Sequence, residues 1–140
     1  MELARNRDPA RARALAARLL DDADGRLALH VTDEAESIAP RLLRLCDPDL
    51  SDAIEQMMRG HAHLAILLAQ LRTAWSAILA EPTSERCAAS ALAAIELCEL
   101  VDRHLYVEET RIFPALAQLT PADRDDLAAE IRDRRLLAAS

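Results

Sequence analysis

His104-Leu105-Tyr106-Val107-Glu108-Glu109-Thr110-Arg111-Ile112-Phe113-Pro114 places an imidazole and a carboxylate one helical turn apart, so His104 and Glu108 project from the same helix face. A weaker copy, His30-Val31-Thr32-Asp33-Glu34-Ala35-Glu36-Ser37-Ile38-Ala39-Pro40, repeats the spacing of His, Glu, Ile and Pro without a gap. A single His-x-x-x-Glu is a common surface pair. Two copies in one register point to a shared structural purpose.

Working outward, both copies lie on long apolar stripes. Asp8-Pro9 is a helix-start signal, a capping side chain followed by proline in the first turn. From there Leu15, Leu19, Ala23, Leu27, His30, Glu34 and Ile38 recur at three- and four-residue steps. The acidic cluster Asp21, Asp22 and Asp24 with Gly25 weakens this helix and marks a candidate break; Pro40 should kink it, and it ends near Leu45. After the turn Cys46-Asp47-Pro48, with Asp49 or Ser51 as cap, a second helix carries Ile54, Met57, His61, Leu64, Leu68, Leu71 and Trp75 to about Leu79.

Glu81-Pro82-Thr83-Ser84 is the next turn. Ser84 opens a third stripe through Ala88, Leu92, Ile95, Leu100, His104, Glu108 and Ile112. Thr120-Pro121 starts a shorter helix to about Leu137, with Leu127 and Ile131 as its buried positions. The expected fold is all-α, an up-and-down bundle of three long helices and a shorter C-terminal one.

In such a bundle, residues equally far from a shared turn lie at equal depth, because each helix rises about 1.5 Å per residue. His30 and Glu34 stand about 14 to 18 residues before Pro48, and His61 about 13 after it. His61 and His104 are each about 21 residues from the turn at Pro82. His30, Glu34, His61, His104 and Glu108 can therefore converge in one layer. All five interrupt core-facing stripes, where an unpaired carboxylate costs several kcal/mol by desolvation. A transition metal compensates that cost directly: imidazole with carboxylate suits Fe, Mn or Zn, and carboxylates can bridge two ions. His63 faces another way and should be solvent-exposed. Asp33 and Glu109 stand beside the pattern as solvated groups or substitute ligands.

Composition narrows the partners. The chain has 140 residues, enough for one domain with its own core, and only 2% aromatics and two glycines, Gly25 and Gly60. A net charge of −7 argues against a nucleic-acid backbone or an anionic membrane as main partner. The basic tail, Arg132, Arg134 and Arg135, reads as favourable charge at a helix C-terminus. No apolar run looks long enough to span a bilayer, and Met1–Arg7 lacks the apolar core of a secretion signal, so a cytoplasmic location is expected. Cys46, Cys87 and Cys98, odd in number, read as free thiols that pack as small apolar residues.

The chain resembles the hemerythrin-like, cation-binding HHE domain. The resemblance rests on His104-x-x-x-Glu108-Glu109 with Ile112-Phe113-Pro114, on His30-x-x-x-Glu34 with Pro40, and on His61 with Leu64, Leu67, Leu68 and Leu71; it covers about Asp8 to Leu119. It implies a four-helix bundle around a non-haem di-iron centre, in which Glu34 and Glu108 bridge and the histidines are terminal ligands. Members usually begin with a further helix bearing another histidine, and position 135, which matches His61 after the second copy, is an arginine. One ligand position is thus open, and full two-iron occupancy is not implied. Either the C-terminal helix or a second chain, giving a homodimer, should cover the core where that helix would lie. The function implied is binding or sensing of O2 or NO, or of iron and redox state. A di-iron or di-manganese oxidase acting on a small substrate and a metal-free helical interaction module are the alternatives.

Overall fold

In a computed structural model the described residues are 8–139, so the expectation about Met1–Arg7 falls outside them. The described residues form helices joined by short turns, with no strand among them. Helix α1 is Pro9–Asp22, α2 Ala28–Thr32, α3 Ala39–Leu43, α4 Pro48–Ala80, α5 Ser84–Val107, α6 Phe113–Ala115 and α7 Pro121–Ala138. The acidic stretch around Gly25 does not break the first helical run. It is taken up as a π turn, Ala23–Leu27, between α1 and α2.

The caps follow simple chemistry. Asp8 accepts from the amide of Ala10, and Thr120 from that of Asp123. The start of α4 is capped by Asp47, which accepts from Asp49 and Leu50, rather than by Asp49 or Ser51. Thr83, one residue before the expected start, accepts from Arg86.

The two copies of the motif fold alike. Each ligand-type glutamate lies at the start of a π turn, Glu34 second in Asp33–Ile38 before α3 and Glu108 first in Glu108–Ile112 before α6. The cause is the proline. Pro40 and Pro114 have no amide to donate and crowd the turn before them, so the preceding residue reaches one carbonyl further back. Ala39 N–H donates to the Glu34 carbonyl, and Phe113 N–H to the Glu108 carbonyl. The expected kink is thus a widening of the helix that starts at the glutamate.

Contacts divide the chain into two compact units, with α4 and α5 contributing to both. One comprises Met1–Arg26 and Ala62–Asp102. Its buried residues include Ala12, Ala16, Leu64, Leu71, Trp75, Ile78, Cys87 and Ala91. Leu92 and Ile95, expected on the core stripe, are 71% and 43% exposed. Small residues, Cys87, Ser90 and Ala91, occupy the buried side there, so the stripe is rotated from its apparent phase.

The other unit comprises Leu27–His61 and Arg103–Ser140, four helical stretches with one apolar core. That core includes Ile38, Leu42, Ile54, Met57, Val107, Ile112, Leu119 and Leu127, with Ile131 partly buried against it. α7 supplies the fourth stretch and lies against the π turn 33–38.

Two further expectations need correction. Only Cys87 packs in the interior; Cys46 and Cys98 are exposed, and all three are free. α4 is long and apolar enough by composition to cross a membrane, with a mean hydropathy of 1.3 over its most apolar window. A core helix meets the same criterion, and α4 buries Met57, Leu64, Leu68, Leu71, Trp75 and Ile78.

Candidate metal centre

All five residues of the expected polar layer belong to the second unit. His30 lies on α2, and Glu34 is the second residue of the π turn after it; His61 comes from α4, His104 from α5, and Glu108 opens the second π turn. Glu34 and Glu108 have side chains 1% and 0% exposed, and His61 and His104 are also buried. His30, at 34%, is the one of the five with a substantially exposed side chain.

Donor atoms from His30, Glu34, His104 and Glu108 all lie within 4.8 Å of one another, a grouping that can hold a metal ion. His61 adjoins it, with Nε2 2.9 Å from Glu34 Oε2 and its ring centroid 4.7 Å from that of His104.

The carboxylates are split between two sides. His30 Nε2 lies 3.5 Å from Glu34 Oε1 and 3.6 Å from Glu108 Oε2. His104 Nε2 lies 2.6 Å from Glu108 Oε1 and 3.7 Å from Glu34 Oε2, the oxygen that also faces His61. Each glutamate therefore turns one oxygen toward His30 and the other toward His104. The first side has one imidazole and the second has two.

Apart from the hydrogen bond between His61 Nε2 and Glu34 Oε2, these atoms converge without satisfying one another. Glu34 Oε1, both oxygens of Glu108, His104 Nε2 and His61 Nδ1 are buried with no hydrogen-bond partner among the described residues. The 2.6 Å approach of His104 to Glu108 is attractive but is not aligned as a hydrogen bond. Each such orphan costs about 1–3 kcal/mol, more when charged, unless something else meets it. Metal coordination would give such buried oxygens and nitrogens the partners they lack, so the donor set fits a metal on its own chemistry.

Electrostatics agree with the geometry. Burial pushes the Glu34 carboxyl up, but His104, His61 and His30 outweigh it and hold the pKa down at about 2. Burial likewise opposes charge on His104, yet Glu108 and Glu34 raise it to about 9. Glu34 thus keeps its charge while His104 holds a proton.

Gly60 makes room for this packing. A Cβ there would stand 2.8 Å from His104 Nδ1. The remaining polar candidates fall outside the layer. His63, Glu109, Tyr106 and Glu36 are exposed. Asp33 is 3% exposed but turns to α7, where Arg134 and Arg135 hold it, so it is no substitute ligand. The arginines are correspondingly more than a charge at a helix end, a role the sequence hid because it requires contacts across about a hundred residues.

A helical bundle that gathers histidines and glutamates inside defines a cation-binding domain. The family model of the Hemerythrin HHE cation binding domain matches residues 1–116, and again residues 52–138. The chain belongs to that family. No curated protein and no solved structure gives a significant match.

Proposed function

We propose that this chain is a non-haem iron protein that binds or senses a small diatomic molecule, O2 or NO, with His30, Glu34, His61, His104 and Glu108 as its metal ligands. The observation that carries the reading is the orientation of the two buried carboxylates. Glu34 and Glu108 each offer one oxygen to the His30 side and one to the side of His61 and His104. That is the disposition of a pair of bridging ligands, and it supports a di-iron centre with unequal halves. Mn and Zn suit the same donors.

Iron held by few imidazoles, with coordination positions left over, supplies reversible attachment of a diatomic ligand. The residues prepare for this in distinct ways. Glu34 and Glu108 provide the negative charge that retains the cation, and the apolar core around Ile38, Met57 and Ile112 keeps bulk water away from them. His30 is the one ligand open to solvent, and its single-imidazole side is where a small molecule can enter. The same opening favours an oxidase reading if a substrate follows the oxidant in.

A cytoplasmic location belongs to the proposal, supported by three free cysteines, two of them exposed. Self-association is proposed on the exposed Leu92 and Ile95 of α5. The test of function is spectroscopic. Iron(II) is added to the protein without oxygen, and absorption is recorded before air, after air and after deoxygenation. Near-ultraviolet bands that appear and then fade support a carrier or sensor; irreversible oxidation with loss of an added substrate supports the oxidase. No change, with no iron retained, removes both.

A further inference from the structure

We propose that Arg134 and Arg135 are positioning residues for the metal centre: from α7 they clamp Asp33 and so fix the π turn that presents Glu34. The inference rests on the metal-binding reading above and extends it to residues outside the ligand set. Asp33 immediately precedes Glu34, and both are buried. Its two oxygens are taken separately, Oδ1 by Arg134 Nη1 and Oδ2 by Arg135 Nη2 at 3.1 Å. Arg134 also donates to Ser37 Oγ at 3.0 Å and reaches Glu36 Oε2 at 3.5 Å. One guanidinium thus spans the turn from its first residue to its fifth.

A tether is needed there for a physical reason. A π turn lacks the regular i→i−4 ladder, so its side-chain directions are less firmly set by the backbone alone. Successive residues of a helix are about 100° apart, and anchoring Asp33 on one side fixes the direction in which Glu34 leaves on the other. A charged residue at position 33 is not demanded by the ligand chemistry. Its counterpart in the second copy is Val107, a core residue beside Glu108. Position 135, where the repeat would put a counterpart of His61, carries a guanidinium that cannot ligate a cation and turns to Asp33 instead. In this chain the last helix serves the site by holding it.

The test is a cobalt(II) titration of the full chain, read by the visible d–d bands, which report ligand geometry as well as affinity. Arg134→Met and Asp33→Asn are compared with Arg44→Met, which removes another ion pair to α7, Arg44 with Asp123, away from the turn. Arg134→Met and Asp33→Asn are expected to weaken cobalt binding about tenfold or more and to alter the band pattern, as loss of partners behind metal ligands does. Arg44→Met should change neither, and Arg134→Lys should restore part of the loss. If Arg134→Met fails to fold, Asp33→Asn carries the comparison. Parent-like affinity and spectrum in the clamp variants, or an equal loss in Arg44→Met, overturns the clamp while leaving the metal reading intact. A parent protein that binds no cobalt and no iron overturns both.

Discussion

Gly60 and His104 are in direct apposition: the glycine on α4 leaves the space that the imidazole of α5 occupies, and a Cβ there would come within 2.8 Å of Nδ1. The absence of a side chain at position 60 is therefore part of the site. Alanine ordinarily stabilises a helix interior by about 1 kcal/mol over glycine. Here the added methyl must displace a buried ring, at a cost of about 1–3 kcal/mol.

Gly60→Ala is accordingly expected to lower stability slightly rather than raise it. Metal affinity should fall about tenfold, because the His104 ring has to turn from the carboxylates. Chemical denaturation and a metal titration of the same variant check the two parts. A gain in stability with unchanged metal binding would show that the ring gives way freely.

Glu108 and Glu109 offer a sharper contrast, being neighbours in sequence with opposite surroundings. Glu108 is fully buried between His30 and His104, and Glu109 is exposed. Glu108→Ala should remove most of the bound metal, and Glu109→Ala should leave it within experimental error. Metal analysis of the two purified variants decides this, and equal losses would sink the assignment of Glu108 as ligand.

The pH dependence of the metal-free protein follows from two opposite shifts. Glu34 titrates in the folded state at about 2, below its ordinary 4.5, so its contribution is present above about pH 4.5 and is lost as pH falls toward 2. His104 titrates at about 9, above its ordinary 6.5, so its contribution is complete below about 6.5 and is lost as pH rises through 9. Stability without metal should be greatest between these limits, as denaturation midpoints across pH will reveal. Metal must displace the proton on His104, so affinity should rise with pH up to about 9 and a proton should be released on binding at neutral pH. Binding that does not vary with pH would exclude His104 from the ligand set.

The sequence made some of this plain and hid the rest for identifiable reasons. His104 with Glu108, and His30 with Glu34, were legible because helical spacing puts each pair on one face and the prolines mark a common register. Their meeting with His61 was legible because helix rise and turn positions set depth. The π turns were not, since proline announces a disturbance without saying that the helix widens from the glutamate onward. The pairing of Arg134 and Arg135 with Asp33 is hidden because contact across about a hundred residues leaves no periodic trace. Periodicity alone puts Leu92 and Ile95 inside because it counts large apolar residues, whereas Ser90 and Ala91 take the buried side.

The most direct measurement is the metal content of the anaerobically reconstituted chain beside that of His104→Ala. The central claim is that the buried histidines and glutamates hold iron. The account predicts iron retained by the parent after desalting, approaching two ions per chain at saturation with one bound more tightly, and a large loss in the variant. A parent that retains no Fe, Mn or Zn, and is unchanged by His104→Ala, would contradict it.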